Sequence, residues 1–236
     1  MTFETVARTD TGRQRDRNED AVLRTEIGSA QVIAVADGMG GHADGELASV
    51  AAVERFDAKL VQLVDEQPIE DAMCAAVDAA NEGVLDDTDP HRRSGTTLVA
   101  AYVDGETATI VNVGDSRAYH VTDEAIERIT VDQSHVQQLL EDGEITEEEA
   151  HDHPHRNVVS QALGTSLDVD PDLYECTVTG TLLLCSDGLT EEVSEPVIQD
   201  LVTSGGTLEI AADRLIERAN ENGGSDNISV VLGRQI

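Results

Sequence analysis

The sequence predicts an α+β fold built on antiparallel sheets. Three observations carry that expectation: β-rich runs arrive as hairpin neighbours, helical stretches arrive in pairs of their own, and the two textures are segregated along the chain. Strict one-for-one alternation would instead have signalled βαβ units and a parallel sheet.

In chain order, residues 31–36 (QVIAVA) form a short β-rich run that is halted by Asp37-Gly38-Met39-Gly40-Gly41. From 46 to 64 the apolar positions recur at helical spacing, and Pro68 follows the end. A second, alanine-rich helical stretch runs from 69 to about 85. Residues 96–103 and 107–113 are β-rich and joined by Asp104-Gly105, a hairpin signal. Residues 117–121 read as a third strand, 181–185 and 227–232 as later ones, and 172–178 as a weaker one. Residues 194–203 and 208–220 read as helices. The stretch at about 132–161 is polar, acidic and histidine-bearing, which fits a surface flap. With no internal repeat and no Pro/Ser-rich linker, 1–236 is expected to be a single domain.

Composition narrows the function. The 236 residues suffice for a sizeable core, and the hydrophobic share of 39% leans on Ala and Val. Asp plus Glu number 48 against 15 Lys plus Arg, a net charge of −33, and Lys59 is the only lysine. Such a chain repels nucleic acid and anionic membranes, so neither is an expected partner. A heavily carboxylated surface suits a high-salt cytoplasm, where salt screens self-repulsion. Cys74, Cys176 and Cys185 are far apart, which argues against a disulfide framework or a zinc knuckle. Cys185 ends an apolar run and reads as a small core residue. The N-terminus lacks a signal-like apolar stretch, and no segment has a membrane span's run of apolar residues, so a cytoplasmic location is expected.

The chemistry rests on acidic residues placed beside β-rich runs. Asp37-Gly38 follows QVIAVA, Asp115 follows TIVNVG, Asp187-Gly188 follows TLLLCS, Asp226-Asn227 precedes ISVVL, and Glu19-Asp20 precedes Ala21-Val22. A strand end presents its side chain at a sheet edge, and a neighbouring glycine lets the chain turn and a ligand approach. Gathered carboxylates repel one another unless a cation sits among them, and hard oxygen donors suit Mg²⁺ or Mn²⁺ better than zinc. Taken singly, an Asp-Gly pair is first of all a turn, and Asp104-Gly105 is read as one.

Six ordered blocks then carry a resemblance across nearly the whole chain: RDRNEDAV at 15–22, VADGMGGHADGELAS at 35–49, SGTTLVAA at 94–101, VNVGDSRAY at 111–119, LCSDGLTEEV at 184–193 and GGSDNISVVL at 223–232. The chain resembles the metal-dependent protein serine/threonine phosphatases of the type 2C (PPM) family in their compact microbial form. The resemblance implies a four-layer α-β-β-α sandwich, two central antiparallel sheets flanked by helices, with the metals at one end. It implies two Mn²⁺ or Mg²⁺ ions and a weaker third position. Asp37 bridges the two ions; the Gly38 carbonyl and Glu19 serve one, and Asp187 and Asp226 the other. Asp20 takes an indirect or water-mediated role, and Asp115 with Asp187 matches the third position. Arg15 matches the arginine that grips the substrate phosphate, and Asn227 is expected to orient Asp226. Ser94, Gly95, Thr96 and Thr97 are expected to support the sheet.

The reaction so implied is hydrolysis of phosphoserine and phosphothreonine on proteins, with Arg15, Asp37 and Asp187 as the catalytic candidates. Water activated between the ions attacks phosphorus without a covalent phosphoenzyme, and arginine can bind the phosphoryl oxygens bidentately. Partners are phosphorylated proteins and, indirectly, a Ser/Thr kinase; a monomer is expected. Where some relatives have a histidine general acid directly after Asp-Gly, this chain has Met39; His42, or a water on a cation, is the alternative. His151, His153 and His155 alternate, but Pro154 and the loop-like setting argue for a flap rather than a metal site. Arg92 and Arg93 read as surface cations. Two rival functions are a non-catalytic phosphatase-like regulatory binding module, which lost metal ligands would mark, and an acidic cation-binding protein, which leaves Arg15 unexplained.

Overall fold

Two antiparallel sheets lie face to face in the computed structural model, which describes residues 2–40, 43–88, 94–146, 149–150 and 153–236. In chain order the strands are β1 (Phe3–Asp10), β2 (Asp20–Ile27), β3 (Ala30–Met39), β4 (Gly95–Thr96), β5 (Leu98–Asp104), β6 (Thr107–Val113), β7 (Arg117–Val121), β8 (Ile126–Arg128), β9 (Asp172–Thr177), β10 (Thr181–Cys185) and β11 (Ile228–Gln235). One sheet has five strands in the order β1-β11-β10-β7-β8; the other has six, β2-β3-β5-β6-β9 with β4 pairing β3. The helices are α1 (Ala43–Leu63), α2 (Ile69–Asp87), α3 (His135–Glu141), α4 (Asp187–Thr190), α5 (Glu195–Thr203) and α6 (Leu208–Asn222).

Strand periodicity sorts the core into three layers of contact. Ile33, Val35, Val99, Ala101 and Ile110 of the six-stranded sheet meet Ala118, Leu182, Leu184 and Val231 of the five-stranded sheet. The alternate residues point outward: Val32, Ala34 and Ala36 pack on Phe56, Leu60, Met73 and Val77 of α1 and α2, while Leu183, Val230 and Leu232 pack on Ile198, Ala212 and Leu215 of α5 and α6. Because both sheet faces are covered, the central strands read as continuous apolar runs. Each fully buried Ile or Leu contributes roughly 2 kcal/mol of transfer free energy. The architecture is the expected α-β-β-α sandwich.

Most expected elements lie within a few residues of their places, and the departures have physical causes. β1 and β2 went unread because each is an edge strand with few apolar residues. The run at 31–36 does not stop at Asp37: β3 continues through Asp37 and Gly38 to Met39, changing partner from β5 to β4. The single strand expected at 96–103 is broken at Thr97, whose N–H bonds the Asp37 carbonyl at 2.9 Å. Asn227 lies just outside β11 rather than within it.

The 132–161 stretch contains α3, whose N-cap Ser134 accepts a bond from the Gln137 N–H at 3.2 Å. The two arms of the stretch are joined by backbone: His135 N–H donates to the Val158 carbonyl at 2.8 Å and Ser160 N–H to Gln133 at 2.8 Å. His153 and His155 lie beside His135, ring centres 5.7 to 6.3 Å apart. His42, His151, Arg92 and Arg93 lie outside the described residues. Among the described residues no helix is long and apolar enough to cross a membrane.

Candidate metal centre

Strand arithmetic brings Asp37 and Asp20 to the site, and the turns beyond strand ends bring the other acidic residues. Ile33 and Val35 face the other sheet, so Asp37, two further along the same strand, extends that row to the end of the sandwich. Asp20 lies directly across from Asp37 in the β2–β3 ladder. From the five-stranded sheet, Asp187 opens α4 after β10, and Asp226 precedes β11. Asp115 sits in the β6–β7 turn.

These residues converge. A cavity of about 210 Å³ is lined by Arg15, Glu19, Asp37, Gly38, Met39, Gly40, Thr97, Asp115, Asn157, Val159, Asp187 and Asp226. All the sequence-derived candidates are there except Asp20, which stands beneath. Its carboxylate accepts the Ser186 hydroxyl at 2.9 Å. The Ser186 hydroxyl also accepts the Ser229 N–H, at 3.0 Å.

Backbone and hydroxyl contacts fix Asp37. Its N–H donates to the Thr97 hydroxyl at 3.0 Å, and the Thr96 hydroxyl donates to its carbonyl at 2.9 Å. Thr97 shares a further bond with the Ser116 hydroxyl at 2.7 Å, which ties Asp37 to the turn bearing Asp115. These two threonines therefore hold the site as well as the sheet. Gly38 is required by closeness: a Cβ there would lie 2.2 Å from the Gly45 carbonyl and 2.5 Å from that of Glu19.

Electrostatics mark the site as built for added positive charge. Burial pushes Asp37 well above the ordinary carboxylate range, with Asp20, Asp187, Asp115 and Asp226 adding to the rise. Asp115 is raised to about 8 by burial and then by Asp187 and Asp132. Asp187 rises to about 6 through burial, Glu191 and Asp226, offset by a hydrogen bond with Asp37 and by Arg117. Asp20 is raised to about 7 by burial, against hydrogen bonds from Ser229 and Ser186.

The residues fit divalent cations. The donors are all oxygen, they repel one another, and the buried Oδ1 atoms of Asp187 and Asp20 have no hydrogen-bond partner among the described residues. Among the described residues no three His, Cys, Asp or Glu side chains stand together so that they alone could hold a metal ion. Mg²⁺-like ions need no such group, since they keep several waters and take one or two carboxylates each.

One neighbour, Arg117, was not singled out by sequence reasoning. Arg117 binds Asp132 through Nε at 3.0 Å and Nη2 at 2.7 Å and is held charged by it, close enough to oppose the rise at Asp115 and Asp187. Asn227 was expected to orient Asp226. Only its backbone N–H does so, donating to Asp226 Oδ1 at 2.7 Å, while its side chain serves the 11–19 loop. Arg15 reaches Asp226 Oδ2 with Nη2 at 2.5 Å, its side chain 48% exposed.

Comparison with known proteins matches nearly the whole chain. A family model described as protein phosphatase 2C matches residues 11–232. The serine/threonine phosphatase stp of Listeria welshimeri is 40% identical over 235 residues, covering 95% of this chain and 93% of that protein. The solved structure of the serine/threonine phosphatase Stp1 from Staphylococcus aureus matches with a TM-score of 0.91 at 35% identity, covering 100% of this chain and 96% of that one. The catalytic domain of the serine/threonine protein phosphatase PstP, solved in complex with two manganese ions, matches with a TM-score of 0.81 at 36% identity, covering 98% and 97%.

Proposed function

This chain belongs to the protein phosphatase 2C family, the metal-dependent serine/threonine protein phosphatases, and from that premise we propose which side chains carry its chemistry. Asp37, with the Gly38 carbonyl and Glu19, would hold one Mn²⁺ or Mg²⁺ ion and, with Asp187 and Asp226, a second; Asp115 and Asp187 would hold a weaker third. Asp20, beneath the cavity floor, acts on them indirectly. When bound, the ions supply an activated water and positive charge against the phosphoryl oxygens. The observation that carries this assignment is the cavity wall itself, which gathers Arg15, Glu19, Asp37, Gly38, Asp115, Asp187 and Asp226 from five separate stretches of chain.

The protein's own part is placement. Asp226 holds one Nη of Arg15 and leaves the other guanidinium donors free for phosphoryl oxygens. Partial burial lowers the dielectric around the carboxylates, so a charge placed among them acts more strongly than in open water. Met39 cannot donate a proton to the leaving serine or threonine oxygen, which leaves His42 or a water on a cation as the alternatives. The 132–161 stretch serves as the flap beside the cavity. Substrates are phosphoproteins made by a Ser/Thr kinase, and the chain works as a cytoplasmic monomer. A non-catalytic module would have lost carboxylates, and none is lost here.

Hydrolysis of a phosphothreonine peptide in high salt tests this reading. Turnover should require Mn²⁺, vanish in EDTA and collapse in Asp187→Asn. Folded, metal-loaded wild type that hydrolyses neither several such peptides nor an aryl phosphate would sink it.

A further inference from the structure

We propose that Asn227 is the positioning residue of this site: its side chain closes the 11–19 loop on itself and so sets both Arg15 and Glu19. The inference rests on the reading of Arg15 as the phosphate ligand.

The Asn227 side chain is buried, 3% exposed, and its amide is fully used. Nδ2 donates to the Thr11 carbonyl at 2.9 Å and to the Arg17 carbonyl at 2.8 Å. Oδ1 accepts the Glu19 N–H at 2.8 Å. One side chain therefore grips the start and the end of the loop, with Arg15 midway between. It has one acceptor and two donors, and it meets one N–H and two carbonyls. Aspartate offers no donor to the two carbonyls, and glutamine is a methylene too long for the same three partners. A buried group that satisfies three backbone partners at once is costly to remove, because each is left unpaired.

A second tether explains why the closure bears on function. Arg13 and Gln14 N–H both donate to the Gly224 carbonyl, at 2.8 and 3.2 Å. Gly12 has φ +78° and presses so close to the Asp226 backbone that a Cβ would lie 2.1 Å from its carbonyl. That contact anchors the outgoing arm alone. The return arm, 17–19, is pinned to the same place by the Asn227 side chain. Without it, Arg15 keeps its reach but loses its fixed approach to Asp226. Glu19 loses the bond on its N–H too, although its carbonyl still accepts the Ser49 hydroxyl at 2.6 Å and the Gly38 N–H at 3.2 Å. Positional slack of about 1 Å at such a group can cost on the order of 100-fold in rate.

The test is a double-mutant cycle read by competitive inhibition with inorganic phosphate, using Arg15→Ala, Asn227→Ala, their combination and Asn227→Asp. Arg15→Ala should raise the phosphate Ki by roughly tenfold or more, as expected for losing a charged hydrogen bond. Asn227→Ala should raise it by a similar factor, and the double variant should be no worse than Arg15→Ala alone. Asn227→Asp keeps the volume and the acceptor for Glu19, so it reports the two lost donors if the alanine variant does not fold. Independently of turnover, Asn227→Ala in EDTA should speed hydrogen exchange at the Glu19 amide, whose acceptor it removes, more than Asn227→Asp does, and leave that at residues 182–184 unchanged. Calorimetry should show weaker Mn²⁺ binding in Asn227→Asp. Additive losses, or an unchanged phosphate Ki in both Asn227 variants beside a raised one in Arg15→Ala, overturn the positioning role. An unchanged Ki in Arg15→Ala overturns the reading of Arg15 instead.

Discussion

The six-stranded sheet delivers Asp37 from inside a strand, whereas the five-stranded sheet delivers Asp187 and Asp226 from just beyond strand ends. The first is held by the β2 ladder on one side and, on the other, by the Thr97 N–H and the hydroxyls of Thr96 and Thr97. The second pair sits outside any ladder: Asp226 accepts the Asn227 backbone N–H at 2.7 Å and the Arg15 guanidinium at 2.5 Å, and Asp187 is held as the first residue of α4, its carbonyl accepting the Glu191 N–H at 2.8 Å. A carboxylate inside a ladder can move only if the sheet moves. One in a loop is held by a few hydrogen bonds of about 1 kcal/mol each, so it can adjust to what it binds.

That contrast can be broken at its strongest point first. Asp37→Asn keeps shape and ladder but removes the charge at the most confined position, and should lower kcat by about 1000-fold in a phosphopeptide assay with Mn²⁺. A loss no larger than that of Asp115→Asn would mean Asp37 is not the shared ligand. Gly38→Ala attacks the backbone instead. Its Cβ would meet two carbonyls at 2.2 and 2.5 Å, so unfolding stability should fall by about 3 kcal/mol in urea. Gly105→Ala, with nothing within 4 Å of the added Cβ, should lose much less, mainly from its positive φ of +58°.

Thr97→Val probes the hydroxyl link between Asp37 and the Asp115 turn. It leaves the Asp37 N–H and the Ser116 hydroxyl without this partner and should cost about 2 kcal/mol, with Thr97→Ser restoring most of it. Equal losses in both variants would make the methyl group, not the hydroxyl, responsible.

The smallest effect is on pH. Asp20, Asp115 and Asp187, at about 7, 8 and 6, lie above their ordinary value of 3.8, and Asp37 lies above it too. Raised carboxylates favour the folded state at low pH, and that contribution is lost as pH climbs through the folded values. In EDTA the melting temperature should therefore fall by a few degrees between about pH 5 and pH 8.5, and Mn²⁺ should raise it most at the alkaline end. A melting temperature that rises with pH in EDTA would refute the shared burial of these groups.

The sequence determined a good deal by itself. Apolar periodicity placed the central strands and the paired helices, because burial on both faces writes itself into composition. The acidic residues beside glycine pointed to an oxygen-ligand metal centre, since few other arrangements tolerate so many carboxylates at strand ends. Only the tertiary structure decided the rest. The edge strands β1 and β2 carry few apolar residues and exist because β11 and β3 offer them ladder partners. Asp20 and Asp37 became a facing pair through register, and Asn227 turned to the 11–19 loop because residues more than 200 positions away fold back beside it. Contacts of that range leave no periodic trace: periodicity records which face a residue shows, and only packing chooses what that face meets.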